Sequence, residues 1–325
     1  MARFRRSAAL LALALTFALA PACRRAGRGG AGSAEELLPA QPPGAAITAA
    51  LGQLAQHSGD LIGRVSGLPG GEQLGDMRRA VAAALGFDPL TREGLLAAGL
   101  DPDRGGAFSI VQAGAGAPGF VAALPLSSGR AFIQAFEKLA RERGGYADRV
   151  EEARTSVTAV VFSRPGRARR LGYAIVRGYA VVARTDDPAA DLAAAGTRTP
   201  SESLAQDARL AAMREGLGSP DLLLYAPAQG WLQGRLFGLS LPGDAALGVS
   251  GSTLGLRARA AIALPPPDAH EISNLLVGGG EALSALLPRN APVQLRLGIA
   301  PAQLPALLAR LPRLRDPLDQ LRQAL

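Results

Sequence analysis

Apolar positions recur every three or four residues in the first third of the chain. Leu51, Leu54, Leu61, Ile62 and Val65 predict one helix with a break near Ser58-Gly59, and Leu74, Met77, Val81, Ala84 and Leu85 predict a second. "FDPLTREGLLAAGLDPDRG" adds a short helix bounded by Asp88-Pro89 and Asp101-Pro102. The pattern changes at Gly105. "AFSIVQA" and "FVAALPL" read as strands joined by the hairpin loop "GAGAPG", and a helix follows from about Ser128 to Glu142 with Phe132, Ile133, Phe136 and Leu139 on one face. "VTAVVFS", "LGYAIVRG" and "YAVVART" supply three more strands between Val157 and Thr185, and "LLLYA" is a strand apolar on both sides.

One unit repeats. "VAALPLSSGRAFIQAFEKL", "AVVARTDDPAADLAAAG", "AAIALPPPDAHEISNLL" and "QLRLGIAPAQLPALLARL" each run strand, proline-bearing turn, helix. Proline at a helix start costs no hydrogen bond, because that amide has no partner in the helix. The order predicts an α+β fold of antiparallel sheets with helices mainly on one face, built in part by internal duplication. The expected divisions are a signal peptide over 1–22, a flexible tether over 23–45, a helical segment over 46–104, a first α+β unit over 105–227 and a second over 245–325.

The amino terminus differs from everything after it. Arg3, Arg5 and Arg6 precede an uncharged run from Ser7 to Ala20. That run is short of the roughly 20 apolar residues of a spanning helix and has the length of a signal-peptide core. Ala20-Pro21-Ala22 then presents small residues ahead of Cys23, the one cysteine of the chain. An exported chain with a single cysteine carries an unpaired thiol, and lipidation removes that liability. The stretch resembles a bacterial lipoprotein signal, in which the first mature residue carries the lipid. The resemblance implies acylation of Cys23 and, with Arg24 rather than Asp behind it, passage to the outer membrane of a Gram-negative envelope. Acyl chains on thiol and amine supply the two anchors that stable attachment needs. Plain secretion with cleavage at the same bond is the alternative.

Residues 84–227 carry a second resemblance. In order stand "LGFDPLTREGLLAAGLDPDRGGAFSIV", "FVAALPLSSGRAFIQAFEKL", "GYAVVARTDDPAADLAAAG", "SESLAQDARLAAM" and "DLLLYAPAQ". This is similar to a family of exported bacterial proteins known only as a domain of unknown function. The resemblance implies an exported α+β protein, no known activity and no functional residue.

Charge narrows the partners little. Loss of residues 1–22 lowers the net charge from +8 to +5, and among 35 basic residues Lys138 is the one lysine. Together with 40 Gly and 24 Pro this is the mark of GC-rich coding. Aromatic residues make up 4%, too few for base-stacking platforms, so no nucleic-acid partner is expected.

Candidate chemistry is sparse. His57 and Asp60 share a helical spacing but lack further ligands for a metal, and His270 falls in a helix's first turn. "GVSGS" approaches a nucleophile elbow, but Ser252 stands where glycine belongs and a strand pattern follows. A hydrolase would gather Ser250 or Ser252 with His270 and an acid. "VGGGE" lacks the Gly-Lys-Ser/Thr of a phosphate loop. Asp186-Asp187 before Pro188 reads as a helix cap, and Glu151-Glu152 are neighbours that point apart. Arg164, Arg167, Arg169 and Arg170 form a basic loop suited to anionic headgroups or to blunting a sheet edge. The leucines from Leu304 to Leu325 read as core.

The expectation is therefore a non-enzymatic exported envelope lipoprotein, membrane-bound through Cys23, with a binding or scaffolding role toward an envelope partner. It has no catalytic, metal or cofactor residue. The alternatives are a periplasmic carrier or sensor of an apolar ligand, and a hydrolase.

Overall fold

The computed structural model describes residues 32–67, 71–111, 118–155, 157–228, 243–252 and 255–263. The chain forms two compact units, Met1–Ile262 and Ala263–Leu325, and the first holds nearly everything described.

That unit is an α+β fold on one antiparallel sheet. Its strands are β1 (Gly44–Thr48), β2 (Ala107–Val111), β3 (Gly119–Pro125), β4 (Asp148–Arg154), β5 (Val157–Ser163), β6 (Arg170–Val176), β7 (Tyr179–Thr185), β8 (Leu222–Ala226), β9 (Ala245–Ser252) and β10 (Gly255–Ile262). Their order is β10–β9–β8–β1–β2–β3–β7–β6–β5–β4, antiparallel at each step. The helices are α1 (Leu51–Ser66), α2 (Glu72–Leu85), α3 (Arg92–Ala97), α4 (Gly129–Glu142), α5 (Pro188–Thr197) and α6 (Ala208–Leu217).

Helices cover both faces, not mainly one. On the first face, Leu192 and Ala195 of α5 and Leu210 and Leu217 of α6 pack on Val121, Val181 and Tyr225. On the second, Leu51 and Ala55 of α1, Leu95 of α3 and Phe132 of α4 pack on Phe162, Tyr173 and Val182. The cause is in the strands. β3 and β7 are apolar at nearly every position, so both sides of the central sheet must be taken from water. Of the four expected strand–turn–helix units, β3–α4 and β7–α5 form as read and send their helices to opposite faces, and the helices of the other two lie outside the described residues.

The expected tether is corrected from residue 33 onward. Ala34–Leu37 make a 3-10 turn, and Leu37 and Leu38 are 1% and 0% exposed. The Gln41 amide donates to Asp207 Oδ2 at 3.1 Å, and Arg214 pairs with Glu35 at 2.9 Å. β1 follows directly and sits between β2 and β8. The break expected at 245 does not divide the sheet either, since β9 and β10 extend it beyond β8.

Local chemistry sets the boundaries. Asp187 accepts from the Ala190 amide at 3.4 Å, with Pro188 at the first helical position, which makes the expected cap of α5. Ser128 caps α4 through the Ala131 amide at 3.3 Å. Arg177 and Gly178, with φ of 49° and 77°, form the two-residue turn that matches the twist of β6 and β7. Edge strand β4, "DRVEEAR", is charged along its length, which discourages pairing with another chain.

Candidate functional site

The two faces of the β9–β8–β1 region differ. On the first face the cross-strand partners Ala246, Tyr225 and Ala45 are 1%, 0% and 2% exposed. On the second face the matching row Leu247, Leu224 and Ala46 keeps part of its surface, and so does Phe108 beside Ala46 on β2. Phe108 stacks on Phe120 of β3 with ring centroids 5.3 Å apart. Beyond Leu247, the outer strand β10 adds Ala260, and Ile262 on the same face is 45% exposed. Leu54 of α1 packs onto this strip beside Leu222 and Val249. The result is an apolar strip running across the sheet, dry on its back and incompletely covered on its front.

Farther along the same face the cover is tight. Phe132, Phe136, Phe162 and Tyr173 form an aromatic cluster with centroid separations from 5.3 to 6.2 Å. At its rim the Glu137 carboxylate accepts from Tyr173 Oη and Arg149 Nε, each at 2.9 Å, and from Arg141 at 3.1 Å. Burial works to raise the Glu137 pKa, but the Arg149 and Tyr173 hydrogen bonds outweigh it and hold the carboxyl below its ordinary range. Burial, reinforced by Glu137, pushes Tyr173 up to about 12. These groups satisfy one another and fix α4 to the sheet.

Asp221 is the unusual acid. It is 2% exposed, its Oδ2 accepts from the Gly251 amide at 2.9 Å, and its Oδ1 has no partner. Burial pushes its carboxyl up to about 7. Its backbone bonds Val249 and Ala49, so it joins β8 to β9 and to the end of β1. A groove of about 580 Å³ lies beside Gln41, Arg198 and Glu202, but its polar groups are spent locally. Arg198 donates to the Leu37 carbonyl, and Glu202 turns back on Thr199.

Among the described residues, those singled out from sequence do not come together. Cys23, His270, "VGGGE" and the leucines from Leu304 onward lie outside the described residues. His57 is half-buried on α1, and Asp60 beside it is exposed. Among the described residues no three His, Cys, Asp or Glu side chains converge as metal ligands. "GVSGS" lies inside β9, where Ser250 pairs with Arg257, and a hairpin to β10 follows it, not a helix. Glu151 and Glu152 diverge, the first to Arg149 and the second to Arg154 and Arg170. The basic loop joins β5 to β6, which are interior strands, so it blunts no edge. Arg164 donates to the Gly144 carbonyl, Arg169 to that of Pro118, and Arg170 pairs with Glu152 and Asp187. Sequence reasoning missed the apolar strip and Asp221. The one available signal was "LLLYA", apolar on both sides. Among the described residues no helix is long and apolar enough to cross a membrane.

Comparison with protein families, with curated proteins and with solved structures finds no match to this chain.

Proposed function

We propose that the chain is a non-enzymatic exported envelope lipoprotein, anchored through Cys23, whose α+β body binds an apolar ligand as a carrier or sensor. The anchor rests on the sequence: a basic start, a short apolar core, small residues and the single cysteine in that order. The binding role rests on one observation, the strip of Leu247, Leu224, Ala46, Phe108 and Phe120 that keeps exposure where the opposite face is sealed. Ligand sites are concave or recessed surfaces that are mostly apolar with few polar groups, and this strip has that composition. A scaffolding role toward an envelope protein is the second reading, favoured by the exposed apolar residues on outer strand β10. The anchor is tested by fractionation. Cys23→Ala is expected to move the protein from membranes to the soluble envelope fraction, and an unmodified Cys23 in the mass spectrum of the mature wild-type terminus would remove the anchor from the reading.

A further inference from the structure

The outer end of the sheet is lightly held. Among the described strands β10 pairs with β9 alone, and β9 joins the rest of the sheet through its ladder with β8. β9 reads "AALGVSGS", mostly alanine, glycine and serine, which bury little apolar surface. Arg257, Ala258, Arg259 and Ala260 of β10 are exposed. Strands with few buried apolar contacts open locally at lower cost than the sheet as a whole.

One residue ties this hairpin to two other strands. The Asp221 amide donates to the Val249 carbonyl at 2.9 Å, and its carbonyl accepts from the Ala49 amide at 3.2 Å, just past β1. With that carbonyl spent on β1, the side chain makes the last rung to β9, where Oδ2 accepts from the Gly251 amide at 2.9 Å. Oδ1 is buried without a partner. β9, the end of β1, the start of α1 and the 218–220 connection bring no titratable side chain here. Arg257 and Arg259 lie across β9 on β10, opposite Ser250 and Gly248. Arg214 of α6 is paired with Glu35, Glu215 is exposed, and the Arg104 guanidinium lies over the Tyr179 ring. Burial is the one cause that moves the Asp221 carboxyl. Ionised in place, it is a buried charge with a single hydrogen bond, and opening the hairpin hydrates it.

We infer that Asp221 is a proton-operated latch on the β9–β10 hairpin: the protonated carboxyl keeps the hairpin seated on β8, and its ionisation lets the hairpin part from β8 while the rest of the sheet stays folded. With the hairpin open the carboxyl is in water and titrates at about 3.9. With it closed, burial holds the proton up to about 7. Between these values opening releases a proton, so the opening constant rises by up to about tenfold per pH unit and levels off above the closed-state value. Parting bares the edge of β8 and the contact of Leu54 with Leu222 and Val249. The latch needs no ligand and stands apart from the apolar-ligand reading above.

Hydrogen exchange of the full-length protein, read by mass spectrometry at pH 5, 6, 7 and 8 and corrected for the intrinsic exchange rate at each pH, tests this. Peptides covering 245–262 are expected to lose protection by about tenfold to a hundredfold between pH 5 and pH 7 and then to level off, while peptides covering 171–185 of β6 and β7 keep theirs. Asp221→Asn keeps an oxygen for the Gly251 amide and cannot ionise, so its 245–262 peptides are expected to show one protection at every pH. Constant protection of 245–262 in wild type, an equal loss in 171–185, or a pH-dependent loss that survives in Asp221→Asn overturns the latch. The first two outcomes are read on wild type and decide the question even where the variant folds poorly.

Discussion

Asp221→Asn is expected to cost stability at acid pH and to gain on wild type as pH rises. The Asp221 carboxyl is buried, takes one hydrogen bond from Gly251, and is pushed up to about 7 by burial alone. In the unfolded chain an aspartate titrates near ~3.9. Between those values the folded state holds a proton that the unfolded state has released, so stability falls as pH rises. The fall is about 1.4 kcal/mol per pH unit over roughly three units, or about 4 kcal/mol at the upper limit. Water entry and local relaxation reduce this, and ~2–4 kcal/mol is a fair range. Asparagine keeps an oxygen for the Gly251 amide and cannot ionise. Its NH2 replaces the unpartnered oxygen and costs about 1–3 kcal/mol, but at every pH alike. The informative quantity is therefore the difference between variant and wild type at pH 8 minus the same difference at pH 4.5. Urea unfolding followed by circular dichroism measures both. A gain of ~2 kcal/mol or more in favour of Asn at the higher pH is expected. A difference that stays constant with pH would refute the burial of an ionisable Asp221 between β8 and β9.

Two further outcomes follow from packing and charge. Gly99 has φ of 74°, and a Cβ there would stand 2.3 Å from the Ser128 carbonyl oxygen and 2.4 Å from the Phe132 amide, so Gly99→Ala should cost more than about 2 kcal/mol in thermal unfolding; a change under ~0.5 kcal/mol would mean that α3 does not meet the start of α4 as described. Glu137 is held ionised by Arg149 and Tyr173 against burial, so its contribution is present at neutral pH and lost as pH falls through its lowered folded pKa; Glu137→Gln should lose about 1–3 kcal/mol at pH 7 and converge on wild type in acid, and a gap unchanged between pH 7 and pH 3 in denaturant melts would count against the network.

Much of the fold was legible because local signals agreed with one another. β6 and β7 are short β-rich runs separated by Arg177-Gly178, and α5 follows a proline behind an aspartate cap. The elements that escaped notice lack a local signal for physical reasons. β1, "GAAIT", is small and featureless, and becomes a strand because β2 and β8 offer pairing on both sides. β4 is an edge, and an edge strand stays soluble by being charged, which erases the apolar alternation that marks a strand. Leu37 and Leu38 sit in a Gly- and Pro-rich stretch that reads as linker, yet they are buried, and groups far along the chain hold the segment: Asp207 takes the Gln41 amide, Arg214 the Glu35 carboxylate and Arg198 the Leu37 carbonyl.

The candidate site was less legible than the fold, because it is a property of register. Phe120 and Arg184 are 64 positions apart and become neighbours only when β3 pairs with β7 at one alignment. A slip of one residue would place Val121 or Ala183 on that face and turn Arg184 toward the first face, where Leu192 and Leu210 are fully buried. That side has no room for a guanidinium, which fixes the register. It also explains the placement of Arg184. The sheet is apolar on both sides at its centre, and a charged residue near its middle is tolerated only where cover is incomplete. Phe120 packs against the cluster of Leu51 and Ala55 on that face, while Arg184 beside it keeps part of its surface.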